Sequence, residues 1–241
     1  MARQATDVQM PFLAHLGELR KRIIWTVAAI GVGFVATFAF SEGIVAFLAR
    51  PLPAKLVALA PVETLWVNIK VSMLAGLFLT LPFVLYQVWA FIAPGLHPHE
   101  RRFAIPFILV GTALFTIGGA FSLLVVVPFA SQFLWTYKTA DVITPMWSAN
   151  FYIGFVVRFT FAFGLAFQLP LAVTLAAKMG LATPQFLAKN RKYAILFCTI
   201  AAAILTPTPD AFNLMLMAGP MYFLYEVGII AARIFGRRSP K

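Results

Sequence analysis

Charge is scarce in this chain. Of its 241 residues only 11% are charged while 61% are hydrophobic, and the mean hydropathy is +0.89. A soluble domain carries roughly a quarter charged residues. Too little polar surface is available to cover this body in water, so lipid must be its solvent. Acids are scarcer still, 8 against 19 Lys and Arg, for a formal charge of +11. Nucleic acid does not explain that excess, because such binding needs a basic face on a soluble domain. Here the charges punctuate apolar runs, which is the membrane pattern.

Cysteine is nearly absent. The one thiol, Cys198, lies in an apolar segment. Intrachain disulfides are therefore excluded, and without a nearby His or polar setting the thiol is no nucleophile. Catalytic signatures are missing too. The chain has no HExxH, GxSxG or Walker loop, so neither intramembrane proteolysis nor ATP hydrolysis has its parts. His97, His99 and Glu100 alternate in a proline-broken loop and lack the spacing of a zinc site. No repeat of 20–50 residues and no low-complexity segment is present. The first apolar run follows a basic stretch, as in a secretory leader. Since apolar runs fill the rest of the chain, it is read as a retained first span.

What the sequence does have is long apolar runs. A helix rising about 1.5 Å per residue needs roughly 20 residues to cross about 30 Å of hydrocarbon. Six segments meet or approach this: 23–40, 65–90, 104–129, 151–176, 194–207 and 212–232. They predict an all-α, polytopic membrane protein whose residues 1–241 form one membrane domain. The fifth span is short and closed by Pro207 and Pro209, so it reaches the far interface only where the bilayer thins. Pro82 and Pro170 predict kinks, because each removes a backbone donor. Between spans one and two, 44–49 and 56–60 read as helical turns lying along the interface. The later outer loop carries Trp135, Tyr137 and Trp147, an aromatic belt.

Six spans place both termini on one side. Fourteen of the 19 basic residues fall on that side, among them Arg20, Lys21, Arg22, Arg101, Arg102, Lys178, Lys189, Arg191, Lys192 and Arg233. By the positive-inside rule it is cytoplasmic.

Among those cations stand three carboxylates, Asp7, Glu18 and Glu100. Glu18 and Glu100 share one membrane level. A guanidinium makes two parallel charge-assisted bonds to one carboxylate, so such a pair of acids is suited to gripping arginines. Neutralisation of the adjacent arginines is the plainer reading, and spacing alone leaves both open. Within the spans, Glu226, Arg158 and Gln168 are costly in hydrocarbon, roughly 2.5–3.5 kcal/mol for a mid-depth charge. Glu226 lies near the cytoplasmic end, within reach of Arg233. Arg158 can snorkel outward along its stem. Gln168 needs a partner from another helix, either as packing glue or as a docking point for an incoming helix. Arg158, Gln168 and Glu226 also motivate an alternative, a small-solute secondary transporter. That class predicts inverted pseudo-symmetry, and no clear inverted repeat is present.

Five stretches in order carry a resemblance over nearly the whole chain. They are His15-Leu16-Gly17-Glu18-Leu19-Arg20-Lys21-Arg22, Tyr86 through Leu96, His99-Glu100-Arg101-Arg102, Leu205-Thr206-Pro207 with Pro209-Asp210, and Pro220-Met221-Tyr222 with Glu226-Val227-Gly228. The chain thus resembles the TatC family, the polytopic core subunit of the twin-arginine protein translocase. The resemblance implies a concave, glove-like bundle in the bacterial cytoplasmic (inner) membrane. Its cytoplasmic face would bind signal peptides bearing consecutive arginines. Glu100 would be central to that recognition and Glu18 would assist, with Arg20, Phe91 and Arg102 in the same region. It implies no ATP, no cofactor and no metal. Single-span partners of the TatA and TatB type, and further TatC copies, would join in moving folded cargo, powered by the proton-motive force. Partner contacts would involve span five and its surroundings. Gln168 departs from the glutamate common in the family, and an amide cannot bind a proton or change charge. Arg158 is also unusual for it.

Overall fold

Apolar runs longer than a bilayer is thick leave the backbone one economical solution, hydrogen bonding within its own helix. The computed structural model describes residues 12–52, 55–95, 104–136, 146–206 and 210–235. Ten α-helices fill most of that length: α1 (Phe12–Phe38), α2 (Ser41–Ala49), α3 (Pro61–Ile92), α4 (Ala104–Phe121), α5 (Val127–Thr136), α6 (Ala149–Ala166), α7 (Leu169–Lys178), α8 (Pro184–Lys189), α9 (Arg191–Leu205) and α10 (Ala211–Phe235). Among the described residues no strand forms. A single parallel bridge pairs Val57 with Ser148.

Local chemistry sets the breaks. Pro61 occupies the first turn of α3 with Glu63 two residues on, a placement that suits orphan helix N–H groups. Pro82 sits inside α3 without ending it. At Pro170 the predicted kink is a full break, with Phe167 and Gln168 outside helix between α6 and α7. A second interruption was not predicted: Ser122–Val126 forms a π-helical turn joining α4 to α5. It ends two residues before Pro128, which offers no N–H to the carbonyl of Leu124. Gly180, at φ +74°, follows α7, as a left-handed residue just past a helix end should.

Successive long helices run antiparallel. Along α1 and α3, Arg22 meets Gln87 and Thr37 Oγ1 donates to the Ser72 carbonyl. Between them, a Cβ on Gly33 would lie 2.6 Å from the Gly76 carbonyl oxygen. Only glycine permits that approach, the small-residue packing typical of membrane helices. Gly118 of α4 is pressed as closely, 2.6 Å from the Phe163 carbonyl oxygen. The centre of the molecule is α6, whose Tyr152, Phe155, Phe159 and Phe163 are fully buried against Val67 and Val71 of α3 and Met217 of α10. Large apolar side chains such as Val32, Leu109, Leu124, Ile204 and Phe223 point outward. In water such exposure would be ruinous; in lipid it is the solvated surface.

Five helical stretches are long and apolar enough to cross a membrane: His15–Phe38, Pro61–Ile92, Ala104–Thr136, Ala149–Lys178 and Ala211–Ile234. The expected fifth span corresponds to α9, whose 15 residues reach about 22 Å at 1.5 Å per residue. Its closing prolines, Pro207 and Pro209, lie outside the described residues.

Of the two expected interfacial turns, 44–49 lies within α2 and 56–60 is not helical. Val57 instead accepts from Ala149 N–H and donates to the Trp147 carbonyl, each at 2.9 Å. Proline at 61 starts α3 early, and the residues before it pair with the other outer loop. Trp135 and Trp147 stack at 6.4 Å there.

Candidate functional site

Antiparallel packing brings the start of α1 beside the end of α3. On α1, residues 15, 18 and 22 recur at helical spacing on one face, and on α3 so do 87 and 91. The His15 ring stacks on Phe91 at 4.4 Å with an interplanar angle of 18°. One turn along, Arg22 Nη1 donates to Gln87 Oε1 at 2.9 Å and Arg22 Nη2 donates to Glu18 Oε1 at 3.1 Å. The side chains of Glu18 and Arg22 keep 20% and 28% of their exposure, whereas Gln87 is buried. Arg20 and Lys21 point outward and Phe91 is half-buried. A carboxylate is thus held at a rim, beside an aromatic ring, in a basic surround.

Both readings of Glu18 meet in this geometry. It does pair with a neighbouring arginine, but on one oxygen only, and no described residue donates to Oε2. Glu100 and Arg102, with His97, His99 and Arg101, lie outside the described residues.

Gln168, expected to need a partner, has one. Its Nε2 donates to the Gly111 carbonyl of α4 at 2.9 Å. A Cβ on Gly111 would lie 2.9 Å from Leu85 and 3.4 Å from Gln168 Oε1, so the glycine makes room for the amide. Glu226 corrects an expectation. It takes a forked bond from Arg191, Nε to Oε1 at 2.6 Å and Nη2 to Oε2 at 2.8 Å, and its Oε1 also accepts from Tyr222 at 2.8 Å. Arg233 makes no such bond. The near partner comes from the next helix because α9 and α10 pack antiparallel, which sequence distance cannot show. The bond to Glu226 pushes the Arg191 pKa up from its already high value. Arg158 is exposed on α6.

At the opposite end Glu63 does work the sequence reading missed. Its Oε2 accepts from Leu59 N–H at 2.5 Å, and its Oε1 accepts from Ser148 Oγ at 2.5 Å and Asn150 N–H at 2.7 Å. Lys70 donates to Asn150 Oδ1 at 2.5 Å, and Tyr152 O–H donates to the Leu48 carbonyl at 2.9 Å. One carboxylate therefore ties the loop before α3 to the loop before α6. The available signal was an acid in the turn after Pro61, a helix-start signature. Among the described residues no group of three or more His, Cys, Asp or Glu is placed to hold a metal.

Alternating apolar helices, an outward apolar surface and polar side chains gathered toward the helix ends define a polytopic helical membrane protein. Its relatives specify which. Residues 14–220 match the family model for the Sec-independent protein translocase protein (TatC). A Sec-independent protein translocase protein TatC from Desulforapulum autotrophicum is 40% identical over 239 residues, covering 97% of this chain and 88% of that one. The one from Helicobacter pylori is 39% identical over 220 residues, covering 91% and 86%. A crystal structure of the twin-arginine translocase receptor TatC superposes with a TM-score of 0.83 at 36% identity, covering 92% of this chain and 100% of that one. A second, in DDM, gives 0.82 at 37%, covering 90% and 99%. The chain belongs to the TatC family. It is a component of a protein translocase, not an enzyme.

Proposed function

We propose that this chain is the signal-peptide receptor and core of a twin-arginine translocase. The observation that carries the reading is Glu18, held half-buried one turn from the His15–Phe91 stack, with no donor to Oε2 among the described residues. In a field of cations, a carboxylate repays only a ligand with well-aligned donors, and a guanidinium supplies two. Glu100 stands four residues before α4 begins and is the second acid of the grip, with Arg20 and Arg102 at the rim. Two crystal structures alike over nine tenths of the chain are of a twin-arginine translocase receptor, which supports the same assignment.

In this reading the basic end faces the cytoplasm of a bacterium, α9 is a sixth crossing of the inner membrane, and both termini are cytoplasmic. Single-span partners of the TatA and TatB type, with further copies of this chain, complete the machine. Gln168 and Glu226 lie toward the partner helices. Folded cargo crosses at the expense of the proton-motive force. Solute transport finds less support, because two of the three intramembrane polar residues that motivated it are engaged within the chain.

The test is crosslinking of a twin-arginine precursor to the translocase in native membranes. Glu100→Gln should abolish it and Glu18→Gln should reduce it about tenfold, roughly the loss of one charge-assisted bond, with membrane insertion intact in both. Unaltered crosslinking in both variants contradicts the proposal.

A further inference from the structure

An arginine four residues after a glutamate on a helix ordinarily reaches back to it. Left to itself, its planar fork can take both oxygens of the carboxylate. Glu18 and Arg22 have that spacing, yet the fork does not close. Gln87, buried on α3, takes Arg22 Nη1 at 2.9 Å, and only Nη2 reaches Glu18, at 3.1 Å. Arg22 Nε is buried with no partner among the described residues. An uncommitted donor in a dry place is unfavourable, and it shows that Arg22 is not in the arrangement that would best satisfy its own nitrogens. No described residue donates to Glu18 Oε2.

We propose that Gln87 is a positioning residue for arginine recognition. By drawing Arg22 toward α3 it limits Arg22 to one bond on Glu18 Oε1, so that Oε2 stays open to the guanidinium of an arriving peptide. The inference rests on the receptor reading above and adds to it a residue that never touches the peptide. A neutral acceptor suits the task. It turns the guanidinium aside while adding no second negative charge that would draw cations indiscriminately. Packing supports the arrangement: the His15–Phe91 stack on one side and the Gly33–Gly76 contact on the other hold α1 and α3 in the register that sets Gln87 opposite Arg22.

Removing Gln87's carbonyl should let Arg22 fork onto Glu18 and compete with the ligand. The experiment measures Kd for a fluorescent twin-arginine signal peptide, and for its twin-lysine counterpart, on membranes holding the intact translocase. The chains compared are the parent, Gln87→Leu, Arg22→Gln and the double variant. Gln87→Leu should weaken the twin-arginine peptide about tenfold. Arg22→Gln should bind as well as the parent or better. The double variant should match Arg22→Gln, because leucine at 87 is harmless once the competitor is gone. That recovery is an outcome which mere damage to packing cannot produce. Equal weakening in the presence and absence of Arg22, or no weakening by Gln87→Leu, overturns the assignment. If the parent itself fails to prefer the twin-arginine peptide over the twin-lysine one, the receptor reading fails and this inference with it. If the parent discriminates but the effects of the two substitutions simply add, only the role of Gln87 falls.

Discussion

Two carboxylates at opposite ends of the molecule are satisfied to different degrees. Glu63 is fully engaged: three donors from Leu59, Ser148 and Asn150 converge on its two oxygens. Its role is to join the loop before α3 to the loop before α6. Glu18 takes one donor, on Oε1, and none on Oε2 among the described residues. Satisfaction by donors is what marks Glu63 as a structural acid here, and residue type or local sequence does not reveal it. Glu63→Ala should therefore leave peptide binding intact while lowering Tm in detergent by several degrees, since it orphans two backbone N–H groups and a hydroxyl. Increased protease cleavage at 55–60 would be its local sign. An unchanged Tm and unchanged cleavage would show that the outer loops are held by other contacts. Gln168 occupies a middle position, bonded once to the Gly111 carbonyl. Gln168→Leu should cost about 0.6 kcal/mol, the mean for an interhelical side-chain bond in a bilayer, as read from unfolding in detergent. Reduced co-purification of partner helices by the same variant would show that the amide also serves docking, and unchanged co-purification would leave it as packing.

At the scale of helices, much was legible and the failures are instructive. Apolar length marked the five long helical stretches, and Pro170 marked the break after α6. Pro82 shows that the same residue type can be kept inside a continuous helix. The Ser122–Val126 π turn was missed although Pro128 was in view, because a proline can be absorbed by a kink, a break or a widened turn. The segment 56–60 reads as apolar and was expected to be helical, yet the bridge with Ser148 decided it, a partner more than eighty residues away. Glu226 illustrates the same limit, since the arginine in sequence reach is Arg233 and the one that binds is Arg191. The α1–α3 contact yields a prediction at this scale. A side chain at Gly76 would strike the backbone of Gly33 and Phe34 within 3 Å, and overpacking of this kind costs typically about 1–3 kcal/mol. In a Cys198→Ala background, Thr37→Cys and Ser72→Cys should crosslink readily across that seam. Adding Gly76→Val should suppress the crosslink and weaken peptide binding, because Gln87 and Arg22 then lose register. A crosslink that persists undiminished would mean that α1 is held by something other than this close approach.

For the whole molecule, the proposed recognition site lies at one end of a bundle whose helices are uneven in length. The helical stretch α6–α7 has 30 residues from Ala149 to Lys178, while α9 has 15. A crossing of about 22 Å, as proposed for α9, cannot match roughly 30 Å of hydrocarbon without local thinning. Four apolar residues inserted between Ile204 and Leu205 add about 6 Å, remove the mismatch and should reduce transport while sparing peptide binding. Undiminished transport would show that the short helix has no bearing on passage. Composition alone revealed that lipid surrounds this chain. Two acids among many cations marked the basic end, but not the contact of Arg22 with Gln87, which lies on another helix.

The most direct measurement is photocrosslinking from position 91, with p-benzoylphenylalanine in place of Phe91, to a precursor in membranes carrying the intact translocase. Recognition of paired guanidinium groups beside Glu18 predicts a crosslink to the arginine region of the signal peptide that disappears when those arginines become lysines. An equally strong crosslink to the lysine precursor, or none from position 91 while one forms from Leu59 at the opposite end, would contradict it.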